Sequence, residues 1–183
     1  LRSAEPIPES YEALAAEQGI DTARIISFPS VVFFGADSAL TAIRAVGPGY
    51  PLRGRLKIAD APFAPAQETD ELPGRGEVWL DSRLLARLGA SIGDPVNIGA
   101  STFTVTRVLD YRPDQGSAFV DLAPSLLIPL ADLPATELLG PGSRASYRLL
   151  FAGTPGQIRD FREELSERKS QADTLEYQIV RDH

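Results

Sequence analysis

Apolar residues crowd the first third of this chain in a strand-like pattern. Residues 22–34 carry Ile25, Ile26, Phe28, Val31, Val32, Phe33 and Phe34 and predict a strand. Pro29 interrupts the run. It has no backbone N–H to donate, so it predicts a bulge or an edge position. Residues 35–38, GADS, predict a turn, and residues 40–46 the returning strand of a hairpin. Upstream the spacing becomes helical: Tyr11, Leu14 and Ala15 form a stripe, Pro8 suits the first turn of a helix, and Gly19 suits its end. Residues 1–8 hold two prolines and predict a tail or lead-in.

The middle of the chain changes element every few residues. Residues 77–80 predict a short strand. Asp81 or Ser82 then caps a helix bearing Leu84, Leu85 and Leu88, and Gly89 stops it where a left-handed residue is needed. Gly93-Asp94 predicts a turn, residues 96–98 a strand, and Gly99-Ala100-Ser101 a hairpin turn. The return strand, residues 102–109, sets Phe103 and Val105 on one face and Thr102, Thr104 and Thr106 on the other. Before this unit, residues 59–76 hold three prolines and several acids and predict a loop. After it, residues 111–116 predict a turn, residues 125–130 a strand and residues 134–139 a turn or short helix.

The end of the chain is simpler. Tyr147, Leu149 and Phe151 alternate as in a strand. Thr154, Pro155 and Gln157 form a capping box in front of a helix whose apolar face is Ile158, Phe161 and Leu165. Arg159, Glu163, Glu164, Glu167 and Arg168 lie on its other face. Leu175, Tyr177 and Ile179 alternate as a last strand. The reading is therefore an α+β fold of two lobes. An α/β lobe is built from both chain ends, residues 1–58 and 145–183, with helices covering a shared sheet. Residues 59–144 form a β-rich inserted lobe.

Composition narrows the function classes. The 183 residues are 43% hydrophobic, enough for a core, and carry a formal net charge of −7. That balance disfavours nucleic acid, because phosphate neutralisation needs clustered Lys and Arg. There is no cysteine and a single histidine, His183, at the last position. A Ser-His-Asp triad needs an imidazole to take the serine proton, and a zinc site needs Cys or His ligands, so neither is expected. Residues 140–144, GPGSR, lack the spacing and the lysine of a phosphate-binding loop, so no nucleotide and no cofactor are expected. Glu68, Asp70 and Glu71 read as a solvated loop rather than a metal or acid–base cluster. No pair of acids is singled out for hydrolysis. Nor does any apolar run approach the roughly 18 residues that span a bilayer. The chain starts at Leu1 and has no Met, so it is expected to be a processed or excised piece.

What remains is apolar surface. Phe119, Val120 and Leu122, beside Ala123 and Pro124, either plug a core or form a contact for a hydrophobic substrate or a partner protein. Phe33 and Phe34 invite the same two readings. Alternation along a strand turns one of them inward.

An ordered set of segments carries a family resemblance: residues 27–33 (SFPSVVF), 49–54 (GYPLRG), 76–81 (GEVWLD), Leu88-Gly89 with Gly93-Asp94, 130–136 (LADLPAT), 141–144 (PGSR) and 147–150 (YRLL). In this order they resemble the extracytoplasmic, MacB-like periplasmic core domain of MacB/LolC/FtsX-type ABC transporter permeases, of the YbbP-like branch. The resemblance covers roughly residues 20–180 and carries no catalytic motif. It implies a porter-like lobe made by the chain ends near the membrane. It also implies a parent permease in the bacterial inner membrane, with spanning helices cut away at both ends of this piece. The implied partners are those transmembrane helices, a cytoplasmic ATP-binding subunit that this domain does not touch, and a periplasmic esterase of the lysophospholipase/thioesterase type. The implied role is non-enzymatic. The domain couples ATPase-driven motion to extraction or export of a hydrophobic or lipid-like substrate, or to mechanical signalling across the membrane. The alternatives are a soluble periplasmic hydrolase and a free-standing binding module.

Overall fold

The computed structural model describes residues 1–113 and 123–169. Its elements run β1 (Arg2–Ser3), α1 (Ser10–Glu17), β2 (Asp21–Phe34), β3 (Asp37–Val46), β4 (Leu56–Ala59), β5 (Gln67–Thr69), β6 (Glu77–Asp81), α2 (Ser82–Leu88), β7 (Pro95–Ile98), β8 (Ser101–Tyr111), β9 (Ser125–Pro129), β10 (Ser146–Ala152) and α3 (Pro155–Lys169). Two short 3-10 turns, Leu130–Asp132 and Pro134–Thr136, follow β9. The fold is mixed and sheet-dominated, in agreement with the α+β expectation.

The local signals predict their elements closely. The Asp81 side chain accepts the Leu84 N–H at 2.8 Å and caps α2, and Gly89 ends it at φ 65. The capping box at α3 closes in both directions. Thr154 N–H reaches Gln157 Oε1 at 2.9 Å, and Gln157 N–H reaches Thr154 Oγ1 at 3.3 Å. The turn between β7 and β8 contains Gly99, where a Cβ would sit 2.2 Å from the Thr136 carbonyl oxygen. That oxygen accepts the Ala100 N–H, so the turn is held against the second 3-10 turn.

Among the described residues the strands form one hydrogen-bonded path, β1-β10-β2-β3-β9-β6-β8-β4-β5, and β7 pairs with both β2 and β8. These pairings close a ring: β2-β3-β9-β6-β8-β7 and back to β2. A closed small ring has no free edge and must fill its interior with side chains. Phe28, Val32, Ile43, Val78, Leu80, Val96, Ile98, Phe103, Val105, Leu126 and Ile128 belong to one buried cluster, with Leu84, Leu85 and Leu88 of α2 packed into it. The boundary expected at residues 58/59 and 144/145 runs through this ring. β2 and β3 come from one side of it, and β6 to β9 from the other.

On the opposite face of the same strands a second cluster joins Ala23, Ile25, Val46, Tyr50, Leu56, Trp79, Leu109 and Leu127. Trp79 Nε1 donates to Thr106 Oγ1 at 3.1 Å, which satisfies its only polar atom. Helices α1 and α3 meet through Ala15, Ile20, Phe161 and Leu165, and Phe161 packs on Phe151 of β10 with ring centroids 4.8 Å apart. Gln157 Nε2 donates to the Gln18 carbonyl at 3.2 Å and fixes the end of α1 on α3.

Several expectations need correction. Residues 1–8 are not a loose lead-in: β1 pairs with β10, and Leu1 and Ile7 are buried against Leu149. The gain is apolar burial that a two-proline segment does not advertise. Pro29 causes no bulge, because β2 stays in register with β3 through Pro29↔Ala42. The edge alternative is the correct one. β10 leaves β2 at Ser27, and β7 joins only at Val32. The Ala42 N–H points away from β2, to the Pro124 carbonyl, so the nitrogen of its partner Pro29 faces that gap and forfeits no ladder bond. The loop at residues 59–76 contains β5, paired with β4 through Ile58↔Gln67. Of the turn expected at residues 111–116, Tyr111 ends β8, Arg112 is buried, and residues 114–116 lie outside the described residues. The strand expected at residues 175–179 lies outside the described residues.

Candidate contact surface

A filled ring leaves its outer surface as the place to look for function. Register fixes which side chains share that surface. In β2, Ala23, Ile25, Ser27, Pro29, Val31 and Phe33 point outward. In β3, the outward set is Ser38, Leu40, Ala42, Arg44 and Val46, because Val31 lies opposite Leu40 and Ile25 opposite Val46. At one end of the hairpin this face is covered, and Ala23, Ile25 and Val46 are buried. At the other end it is open. Leu40 is 59% exposed, Phe33 49% and Val31 40%.

These three form a cross-strand apolar strip. Val31 faces Leu40 directly, and Phe33 follows two residues further along the same face. Phe34 points the other way and packs against the interior cluster. Of the two phenylalanines, then, one turns inward as alternation requires, and the other remains in water. β7 continues the strip through Phe33↔Asn97, and Thr102 Oγ1 donates to Asn97 Oδ1 at 2.8 Å. The strip therefore ends in a polar margin. Its signal in the sequence was the SFPSVVF run, but alternation alone could not say whether a second layer covers it.

Phe119, Val120 and Leu122 lie outside the described residues, and His183 does too. The structure does describe where the chain resumes. Asp81 Oδ2 accepts the Ser125 N–H at 2.9 Å, and Arg83 donates to both Asp81 Oδ2 at 3.0 Å and the Ala123 carbonyl at 3.2 Å. One carboxylate thus caps α2 and fixes the start of β9.

Two of the three acids noted in the sequence, Glu68 and Asp70, lie beside one arginine. Arg55 lies 3.3 Å from Asp70 and 4.0 Å from Glu68. Asp132 accepts from Arg75 at 2.5 Å and from the Gly76 N–H at 2.8 Å, tying the approach to β6 to the turn after β9. Among the described residues, no three Asp, Glu, His or Cys side chains come together to hold a metal ion. No helix among them is long and apolar enough to cross a membrane.

The model of the MacB-like periplasmic core domain matches residues 2–167, and the chain belongs to that family. Fold and family together define an extracytoplasmic domain of the MacB type. Among individual relatives, the chain is 29% identical over 158 residues to the uncharacterized ABC transporter permease YbbP of Escherichia coli (strain K12). That match covers 86% of this chain and 19% of the relative, so the chain spans about a fifth of the relative's length. Two crystal structures share the fold. The extracellular domain of the noncanonic ABC-type transporter YknZ, from Gram-positive bacteria, has a TM-score of 0.64 at 16% identity, over 97% of this chain and 90% of that one. The periplasmic region of MacB from Actinobacillus actinomycetemcomitans has a TM-score of 0.58 at 17% identity, over 93% and 78%.

Proposed function

We propose that this chain is the extracytoplasmic domain of a bacterial inner-membrane ABC transporter permease, and that it acts by contact and motion rather than by catalysis. In this reading a cytoplasmic subunit hydrolyses ATP, the transmembrane helices of the parent permease carry the motion outward, and the domain delivers it to a hydrophobic or lipid-like substrate. The observation that carries the reading is the open apolar strip of Val31, Phe33 and Leu40 on a ring whose interior is already filled. Large apolar side chains held in water on one strand face mark a contact surface. The ring beneath them supports the role mechanically, since close-packed interiors transmit displacement instead of absorbing it.

The test is reconstitution of the full-length permease with its ATPase subunit in proteoliposomes. Serine at positions 31, 33 and 40 is expected to leave assembly and basal ATP hydrolysis intact and to abolish stimulation by, or release of, a fluorescent lipid. Unchanged lipid handling in that variant would remove the strip from the function. Hydrolysis of an ester by the isolated 183-residue chain would favour the hydrolase alternative instead.

A further inference from the structure

The ladder between β1 and β10 is regular up to Leu1. The Leu1 nitrogen donates to the Leu149 carbonyl at 3.0 Å, and the Leu149 N–H donates back to the Leu1 carbonyl at 2.9 Å. Such an exchange marks a hydrogen-bonded pair of an antiparallel ladder. The register continues from it through Arg2↔Arg148 and Ser3↔Tyr147. The site of this nitrogen suits an amide better than an amine. Burial, with Arg148 nearby, lowers the pKa of the amine to about 6, whereas a peptide N–H makes the same bond with no charge to desolvate.

β10 offers more edge beyond that pair. Backbone groups alternate sides along a strand, so Phe151, two residues on from Leu149, turns its N–H and C=O to the β1 side. Phe151 is registered with Thr22 of β2, and its ring is packed on Phe161, so this stretch of edge is held in place. Among the described residues, no strand reaches it from the β1 side. An unpaired strand edge is a template for an extended segment. The reading proposed above, on which this inference rests, supplies one. It makes the domain part of a longer permease, and this chain spans 19% of the relative YbbP.

We infer that the residues preceding Leu1 in the parent permease continue β1 along β10, opposite Leu150, Phe151 and Ala152, and that this strand is the tether by which motion of the membrane helices enters the sheet. The geometry suits a load-bearing part. A pull along the strand is shared by all its ladder bonds at once, instead of breaking them one by one. From β10 the load passes to β2 over the register from Ser146↔Ser27 to Ala152↔Asp21. β2 then carries it from Asp21 towards Phe33 in the apolar strip, about 40 Å along an extended strand.

The strand is tested in the full-length permease without any transport readout. Cysteines replace Leu150 and the residue immediately before Leu1. In a continued strand these two form a non-hydrogen-bonded pair, with Cα atoms about 4.5 Å apart and within disulfide reach. Arg2→Cys with Arg148→Cys, a pair of the same kind inside β1, is the positive control. Exposed Ile92→Cys, combined with the cysteine before Leu1, is the negative control. Under copper phenanthroline the Leu150 pair is expected to crosslink as fully as the positive control. Crosslinking at the level of the negative control would overturn the proposal. The tether is tested in proteoliposomes with the ATPase subunit. Ser3→Pro removes a backbone donor from β1 and is expected to leave ATP hydrolysis intact while ATP-driven lipid release is lost. Oxidising the Leu150 cysteine pair in that variant should restore release, and dithiothreitol should abolish it again. Undiminished release in Ser3→Pro, or release that oxidation does not restore, would overturn the tether. An unmodified permease that releases no lipid would sink the proposed function and the tether with it, while the crosslink still decides the strand.

Discussion

The β6–α2–β8 unit and the open end of the β2–β3 hairpin are both rich in large apolar side chains, and they use them in opposite ways. In the first, Val78, Trp79, Leu80, Leu84, Leu85, Leu88, Phe103 and Val105 are all buried. In the second, alternation sends Val32 inward and leaves Val31, Phe33 and Leu40 in water. The two strands of the hairpin are paired as regularly at the open end as at the covered end, so the difference is not one of local structure. It arises from what lies outside the ring. Tyr50, Leu52 and Leu72 help to cover one end of the outer face, and that cover stops short of Val31. Apolar content therefore does not by itself mean core. It means core where a second layer arrives, and exposed surface where, among the described residues, none does.

The comparison can be broken most directly at Phe103. Phe103→Ala removes a ring from the filled interior and is expected to cost about 3–5 kcal/mol, read from urea unfolding. A loss below about 1 kcal/mol, the range of ordinary surface sites, would mean that the interior is not one packed core. A third region, β1, pairs with β10 and brings Leu1 and Ile7 against Leu149. In a chain that begins at Leu1, the terminal amine donates to the Leu149 carbonyl at 3.0 Å, and burial, with Arg148 nearby, lowers its pKa from 8.0 to about 6. The unfolded chain then binds the extra proton between these values. The contribution of this amine should be fully present above pH 8 and be lost, by about 2–3 kcal/mol, as pH falls through 6. Acetylation of the amine should remove this slope in a pH series of thermal melts.

Smaller effects sharpen the contrast. Asp81→Ala removes the α2 cap and the acceptor for Ser125, and is expected to cost about 1–2 kcal/mol by chemical denaturation. Asp81→Asn, which keeps an acceptor, should recover most of that loss. The smallest change in stability belongs to the strip. Phe33→Ser with Leu40→Ser should alter unfolding free energy by less than about 1 kcal/mol. A double variant that unfolds several kcal/mol more easily would show that the strip is core after all.

Much of the fold was legible in the sequence, and the legible parts share a cause. The α2 cap at Asp81, its stop at Gly89, the β7–β8 turn and the Thr154–Gln157 capping box are each settled within about four residues by hydrogen bonds and backbone preference. The family resemblance was legible for another reason: its segments keep their order along the chain, and the match over residues 2–167 agrees with it. Two expectations resting on local pattern alone fail for lack of distant partners. Residues 1–8 looked like a tail because nothing nearby shows that β10 offers an edge to Arg2 and Ser3. The loop at residues 59–76 hid β5 because three polar residues become a strand only beside β4.

The sequence by itself determined the caps of α2 and α3, most of the turns, which side chains share a face, and that His and Cys chemistry has little to work with. The tertiary structure decided the rest. Closure of β2-β3-β9-β6-β8-β7 depends on pairings between residues as far apart as Ala42 and Ser125, or Val32 and Ile98. Whether an outward residue is buried depends on a layer contributed from elsewhere in the chain. Period two says that Val31, Phe33 and Leu40 lie on one side of a strand. Only the assembled ring, with its outer cover ending before them, shows that this side meets water.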